Sequence, residues 1–169
     1  LSLERCSKPV IAAVRGICFG GGMALAMACD LRLASDNSRF CIPAAKLGIG
    51  YGLAGTEGLV AKLGSALTAE MLFTAKVYSA QEALMRGIVQ ATASVADFDE
   101  LVTAYTTMLG QNAPLSILAA KRTIRAALTS GERDRAEAQR AVAACMASTD
   151  YAEGRRAFLE KRKPNFQGR

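Results

Sequence analysis

A chain of 169 residues suits one domain on length alone. Its 51% apolar and 21% charged content excludes a disordered segment, a collagen-like repeat and a disulfide-stapled mini-protein. The net charge of +6 gathers near the end, in Arg155, Arg156, Lys161, Arg162, Lys163 and Arg169, while 6% aromatic residues and no Trp leave little for base stacking, so nucleic acid is not an expected partner.

Leu1 to Arg5 carries an acid and no apolar run follows it, so no secretory signal is expected. Pro9 to Val14 is a β-branched apolar run with the character of a buried strand, and Arg15-Gly16 turns it. Gly20-Gly21-Gly22 leads into Met23 to Cys29, a run of good helix formers. The stretch from Gly16 to Cys29 has no charge, but its glycines and length do not suit a membrane span. Asp30 to Ala34 alternates as a half-buried strand, Ser35 to Ser38 is a turn cluster, and Arg39 to Ile42 restarts a strand before Pro43. Leu47 to Gly55 is a glycine-rich loop with Tyr51 at its centre. Helices are predicted over Thr56–Lys62 and Ser65–Ala75. Ser79 and Glu82 form a capping-box pattern, Gly87 ends that helix, and Ile88-Val89 reads as a short strand. Further helices are predicted from about Phe98, Pro114, Glu132 and Asp150, the last running to Lys163. No internal repeat is visible. Residues 1–64, glycine-rich with short strands, and the helical residues 65–169 form two compositional regions. That order does not suit a doubly wound sheet, which alternates strand and helix throughout.

His is absent. Ser-His-Asp and Cys-His catalysis are therefore excluded within the chain, and backbone dipoles, carboxylates, Tyr, Lys, Cys or Ser must carry any chemistry. The five cysteines are odd in number, widely spaced and without a CxxC pair, so neither a disulfide framework nor a metal site is expected. Free thiols in a reducing cytoplasm are the expectation. The glycine turn before a helix leaves backbone amides free to meet an oxyanion or phosphate; a tight crossing with no ligand would give the same pattern. Neither a Walker loop nor a dinucleotide fingerprint is present.

Lys8 to Gly16, Gly20-Gly21-Gly22 and Ala26 to Ser35 together resemble the enoyl-CoA hydratase/isomerase (crotonase) family. Phe40, Pro43, Leu47-Gly48, Gly55, Thr74-Ala75, Ser79-Ala80, Ala83, Gly87, Val89 and the terminal Ala157 to Phe166 continue the likeness. The resemblance implies an α/β fold of the ClpP/crotonase type: a spiral core of ββα turns with a helical C-terminal region. It implies a role in fatty acid metabolism as a lyase or isomerase, and an acyl-CoA thioester whose enolate is stabilised by two backbone amides. The second of these amides maps to Gly21. Coenzyme A would be part of the substrate, with no separate cofactor. The family domain has a further N-terminal third, carrying the other amide and most of the adenine pocket. By this likeness the chain is a fragment, an internally started product or part of a longer protein.

Two family glutamates that do acid/base work in hydratases map to Ala24 and Ala44, where methyl groups transfer no protons. Hydration is therefore not expected. The loop around Tyr51 is similar to that of the family's methylmalonyl-CoA decarboxylases, where a Tyr faces the substrate carboxylate; lining the acyl pocket is the plainer alternative. A non-catalytic acyl-CoA binder is the third reading. Phe158 and Lys161 match positions that contact a neighbour's CoA, which implies a homotrimer or a dimer of trimers, whereas a helix lying on its own core has the same spacing. Arg155, Arg156 and Arg162 are expected to be solvated. The candidate residues are Gly21 and Tyr51 for chemistry, with Gly20, Gly22, Ala24, Ala44, Gly52, Phe158 and Lys161 for substrate.

Overall fold

Strands in the first part of the chain are dealt alternately into two sheets. In the computed structural model, which describes residues 2–129 and 131–169, a short α1 (Ser2–Arg5) precedes β1 (Ile11–Val14), β2 (Ile17–Phe19) and α2 (Gly21–Ala28). Next come β3 (Leu31–Ser35), β4 (Arg39–Cys41), a 3-10 turn over Pro43–Leu47 and α3 (Leu53–Thr74). β5 (Tyr78–Ser79), α4 (Ala80–Met85), β6 (Ala91–Ala93) and α5 (Phe98–Gly110) follow. One sheet has the order β1-β3-β6, all parallel; the other has the order β2-β4-β5, with β5 antiparallel. Ile11 lies opposite Leu31 and Ile17 opposite Arg39, so each ββα turn sets one strand on each sheet. Parallel neighbours need a crossover, and α2 supplies it. Its Met23, Ala26, Met27 and Ala28 are buried, the first three in a core shared with Phe40, Ile42, Leu59, Met71 and Tyr78.

The chain separates into two compact units, Leu1–Cys6 with Val10–Ala104 and Ser7–Pro9 with Tyr105–Arg169. The boundary falls inside α5, well beyond the compositional change at residue 64. Position 64 marks something else: Gly64, at φ 77° and ψ 164°, breaks α3 into the two helices predicted there. The first begins at Leu53 rather than Thr56.

Three local expectations are corrected. Ile17 to Phe19, given no element in the sequence reading, forms β2. β3 is buried along most of its length instead of on alternate faces, and Arg32 is only 5% exposed. Its guanidinium donates to the carbonyls of Ile88 (2.7 Å) and Cys29 (3.1 Å), which makes the burial possible, and burial lowers its pKa from the ordinary value. Ile88 and Val89 are fully buried but are not a strand. Both amides donate to the Ala83 carbonyl and close the end of α4, so pairing with β3 begins at Ala91.

The capping box forms as expected. Glu82 N donates to Ser79 Oγ (3.2 Å) and Ser79 N donates to Glu82 Oε2 (2.9 Å). The Ser79 amide, then Lys76 and the Ser79 hydroxyl, hold the Glu82 carboxyl down to about 2 from 4.5. A depressed carboxyl contributes stability above its unfolded value and loses it as pH falls through the folded value. Glu82→Gln is therefore expected to destabilise the chain at neutral pH, with the difference from wild type vanishing between about pH 4.5 and 2. Urea midpoints across that range check this; a gap independent of pH would show that the charge is not what matters.

The second unit is helical. α6 (Pro114–Leu128) packs along α7 (Glu132–Met146), and α7 packs against α8 (Thr149–Leu159). Ala119, Ala138, Ala141 and Ala157 are buried, small enough for close helix approach. α8 ends at Leu159 and not Lys163, because the chain turns back with Lys161 at φ 53°. Buried Asp150 accepts the amides of Gln167 (2.7 Å) and Gly168 (2.8 Å), pinning the returning segment. The three arginines expected to be solvated are all exposed, and two of them are also ion-paired. Arg162 pairs with Glu153 (2.6 Å) and Glu160 (2.6 Å), and Arg156 pairs with Glu153 (2.7 Å). These bonds hold Glu153 far below the ordinary carboxylate range. Arg155 lies over the Tyr151 ring. Among the described residues, no helix is long and apolar enough to cross a membrane and no cluster could hold a metal ion.

Candidate functional site

The glycine turn is built by the step from β2 to α2. Gly20 adopts φ 50° and ψ −110°, a conformation that side chains disfavour. Its amide donates to the Cys41 carbonyl of β4 (2.9 Å), while its carbonyl accepts Ala24 N (3.0 Å) and starts the helix. Gly21, Gly22 and Met23 are thus the first helical residues, whose amides have no acceptor within the helix. Gly20 has no side chain to cap them. At the other end, the Lys62 ammonium donates to the Met27 and Cys29 carbonyls, and Arg32 also reaches Cys29. Cations there complement the helix dipole, whose positive end lies at Gly21. Sequence reasoning missed Lys62, which has no motif around it and reaches α2 only through the fold.

Gly21 and Gly22 have no left-handed φ to justify glycine. A Cβ at Gly21 would meet nothing within 4 Å, and one at Gly22 would only touch Cys18 Sγ at 4.0 Å. Glycine is a poor helix former, by up to about 1 kcal/mol per position relative to Ala. No contact among the described residues calls for glycine at either position, and both residues are exposed.

Ala44 lies in the Pro43–Leu47 turn, 9% exposed, in the same apolar cluster as Met23 and Ala26. Ala24 is half-buried on α2. Tyr51 packs against that cluster from the loop between Gly48 and Gly52, half-buried, and burial pushes its phenol up from the ordinary value. Gly52 is the N-cap of α3, its carbonyl accepting Thr56 N (3.0 Å) and Thr56 Oγ1 (3.2 Å). Gly20, Gly21, Gly22, Ala24, Ala44, Tyr51 and Gly52 thus all belong to the first unit, whose core holds Ala44 and Tyr51 beside α2 residues. Phe158 and Lys161 belong to the second unit. Phe158, 84% exposed, borders a largely apolar groove of about 340 Å³ with Tyr151 and Phe166. None of the five cysteines forms a disulfide, and burial raises the thiols of Cys18 and Cys41, which makes them poor nucleophiles.

The ββα spiral with its glycine turn is a crotonase-like α/β fold. An enoyl-CoA hydratase from Bacillus anthracis superposes with a TM-score of 0.87 at 32% identity, covering 99% of this chain and 65% of that one. The family model for enoyl-CoA hydratase/isomerase matches residues 1–169, and the chain belongs to that family. Similar relatives include the methylmalonyl-CoA decarboxylase of Escherichia coli K12, 34% identical over 98% of this chain and 65% of its own length. The crotonyl-CoA hydratase of Syntrophomonas wolfei is 40% identical over 97% and 64%. The chain therefore spans just under two thirds of the relatives it matches.

Proposed function

We propose that the chain is the enolate-stabilising part of an acyl-CoA enzyme, with the Gly21 amide as an oxyanion donor to the thioester carbonyl. The observation that carries this reading is the Gly21-Gly22 pair, where neither φ nor a contact among the described residues calls for glycine, at the uncapped positive end of α2. Closely approaching backbone amides on a fixed dipole suit charge that develops on an oxygen. Coenzyme A belongs to the substrate and no separate cofactor is called for. The exposed Tyr151, Phe158 and Leu159 support a homotrimer or dimer of trimers, with Phe158 and Lys161 near a neighbour's CoA. Cysteines without disulfides suit the cytoplasm.

Within this chemistry, a malonyl-type thioester is the favoured substrate. Methyl groups at Ala24 and Ala44 leave no acid or base for hydration at the two family positions. Decarboxylation needs none at the α-carbon: the bond to the carboxylate breaks, its electron pair forms the enolate, carbon dioxide leaves, and solvent then protonates the carbon. The Tyr51 hydroxyl, with no hydrogen-bond partner among the described residues, is free to donate to the departing carboxylate. Turnover of crotonyl-CoA and methylmalonyl-CoA tests the choice. Hydration is expected to be weak, since each missing acid/base group typically costs about 10²–10⁴-fold. Decarboxylation is expected to fall in Tyr51→Phe. Robust hydration by the unaltered chain would overturn the reading of Ala24 and Ala44.

A further inference from the structure

The loop that carries Tyr51 is short of constraints. Gly48, Gly50 and Gly52 give it little stiffness, and the Tyr51 hydroxyl makes no hydrogen bond among the described residues. Yet the ring, which packs on the core cluster, also rests on the first turn of α3. A Cβ built on Gly55 would stand 2.7 Å from Tyr51 Cε1, 3.2 Å from Cζ and 3.3 Å from the hydroxyl oxygen. The ring therefore lies directly on the Gly55 backbone, in space that any side chain at 55 would fill. Gly55 has no left-handed φ, so its own conformation does not require glycine. Its helical position favours Ala over Gly.

We propose that Gly55 is a positioning residue: its missing side chain seats the Tyr51 ring and sets where the hydroxyl points. The proposal rests on Tyr51 facing substrate only for its catalytic consequence; the seat itself follows from the geometry. With a methyl group at 55, the helix stays, because Gly52 and Thr56 hold its first turn by two hydrogen bonds. The ring is the part free to move. Displacement carries the phenol out of its half-buried site, and its raised titration returns toward that of an ordinary tyrosine.

The test compares Gly55→Ala, Tyr51→Phe, Tyr51→Ala and the double variant Tyr51→Ala/Gly55→Ala. Absence of Trp makes the four tyrosines visible by phenolate absorbance, and Tyr51→Phe identifies the contribution of Tyr51. Gly55→Ala is expected to lower the Tyr51 titration midpoint. It is also expected to raise the denaturation midpoint in the Tyr51→Ala background but not in wild type. An unmoved titration, or the same stability change in both backgrounds, overturns the seat. Turnover of methylmalonyl-CoA then separates the seat from the function. Gly55→Ala is expected to lower kcat by up to about 10²-fold, the scale of a ~1 Å displacement, with less further loss when combined with Tyr51→Phe. A shifted titration with unchanged kcat supports the seat and sinks the catalytic reading of Tyr51.

Discussion

Proline at position 21 is expected to lower acyl-CoA turnover by about 10²–10³-fold, or about 2.7–4 kcal/mol of barrier, without unfolding the chain. Gly21 is the first residue of α2, the one helical position where proline's fixed φ and missing N–H are tolerated. Gly20 precedes it at φ 50° and ψ −110°, the mirror image of an extended conformation, so it avoids the α region that proline disfavours in its predecessor. The substitution thus removes one donor and leaves the helix. The effect is expected in kcat more than in KM, because an oxyanion donor stabilises the enolate oxygen more strongly than the ground-state carbonyl. Gly21→Ala, which keeps the amide and adds a methyl group, separates donor loss from steric exclusion. Equal losses in both variants would show that close approach matters and the hydrogen bond does not. Unchanged kinetics in the proline variant would remove Gly21 from the site.

Truncating Phe40 to Ala is expected to cost about 3–5 kcal/mol of stability, a large share of the ~5–15 kcal/mol that holds a typical domain together. Phe40 is fully buried in β4, opposite Cys18 of β2 and Tyr78 of β5. A cavity there lies under both neighbours at once. It also lies beside Cys41, whose carbonyl accepts the Gly20 amide and so fixes the glycine turn. Chemical denaturation measures the loss directly. A change below about 1 kcal/mol would mean that the core closes over the cavity and that β4 does not depend on Phe40.

Local rules made several parts of the chain legible in advance. Ser79 and Glu82 cap each other because their spacing places each side chain beside the other's amide, whatever surrounds them. Pro114 starts α6 for an equally local reason, its missing N–H falling where a helix has no acceptor. The glycine turn was also visible in the order of residues, as were Ala24, Ala44 and the family likeness.

The tertiary structure decided what depends on distant partners. The ββα spiral has no visible sequence repeat, because β1 and β3 meet different neighbours and carry different side chains while keeping one register. Arg32 looks like the polar position of a half-buried strand until the Ile88 and Cys29 carbonyls meet its guanidinium. Ile88 and Val89 have the composition of a strand, but the Ala83 carbonyl takes both amides. Arg162 is exposed, as expected, but its pairing with Glu153 exists only because the returning segment brings the two together. In each case side-chain chemistry sets which bonds are possible, and only the path of the backbone brings the partner within reach. The seat of Tyr51 on Gly55 has the same origin: the two lie four residues apart, yet only the turn into α3 lays the ring on a backbone without a side chain.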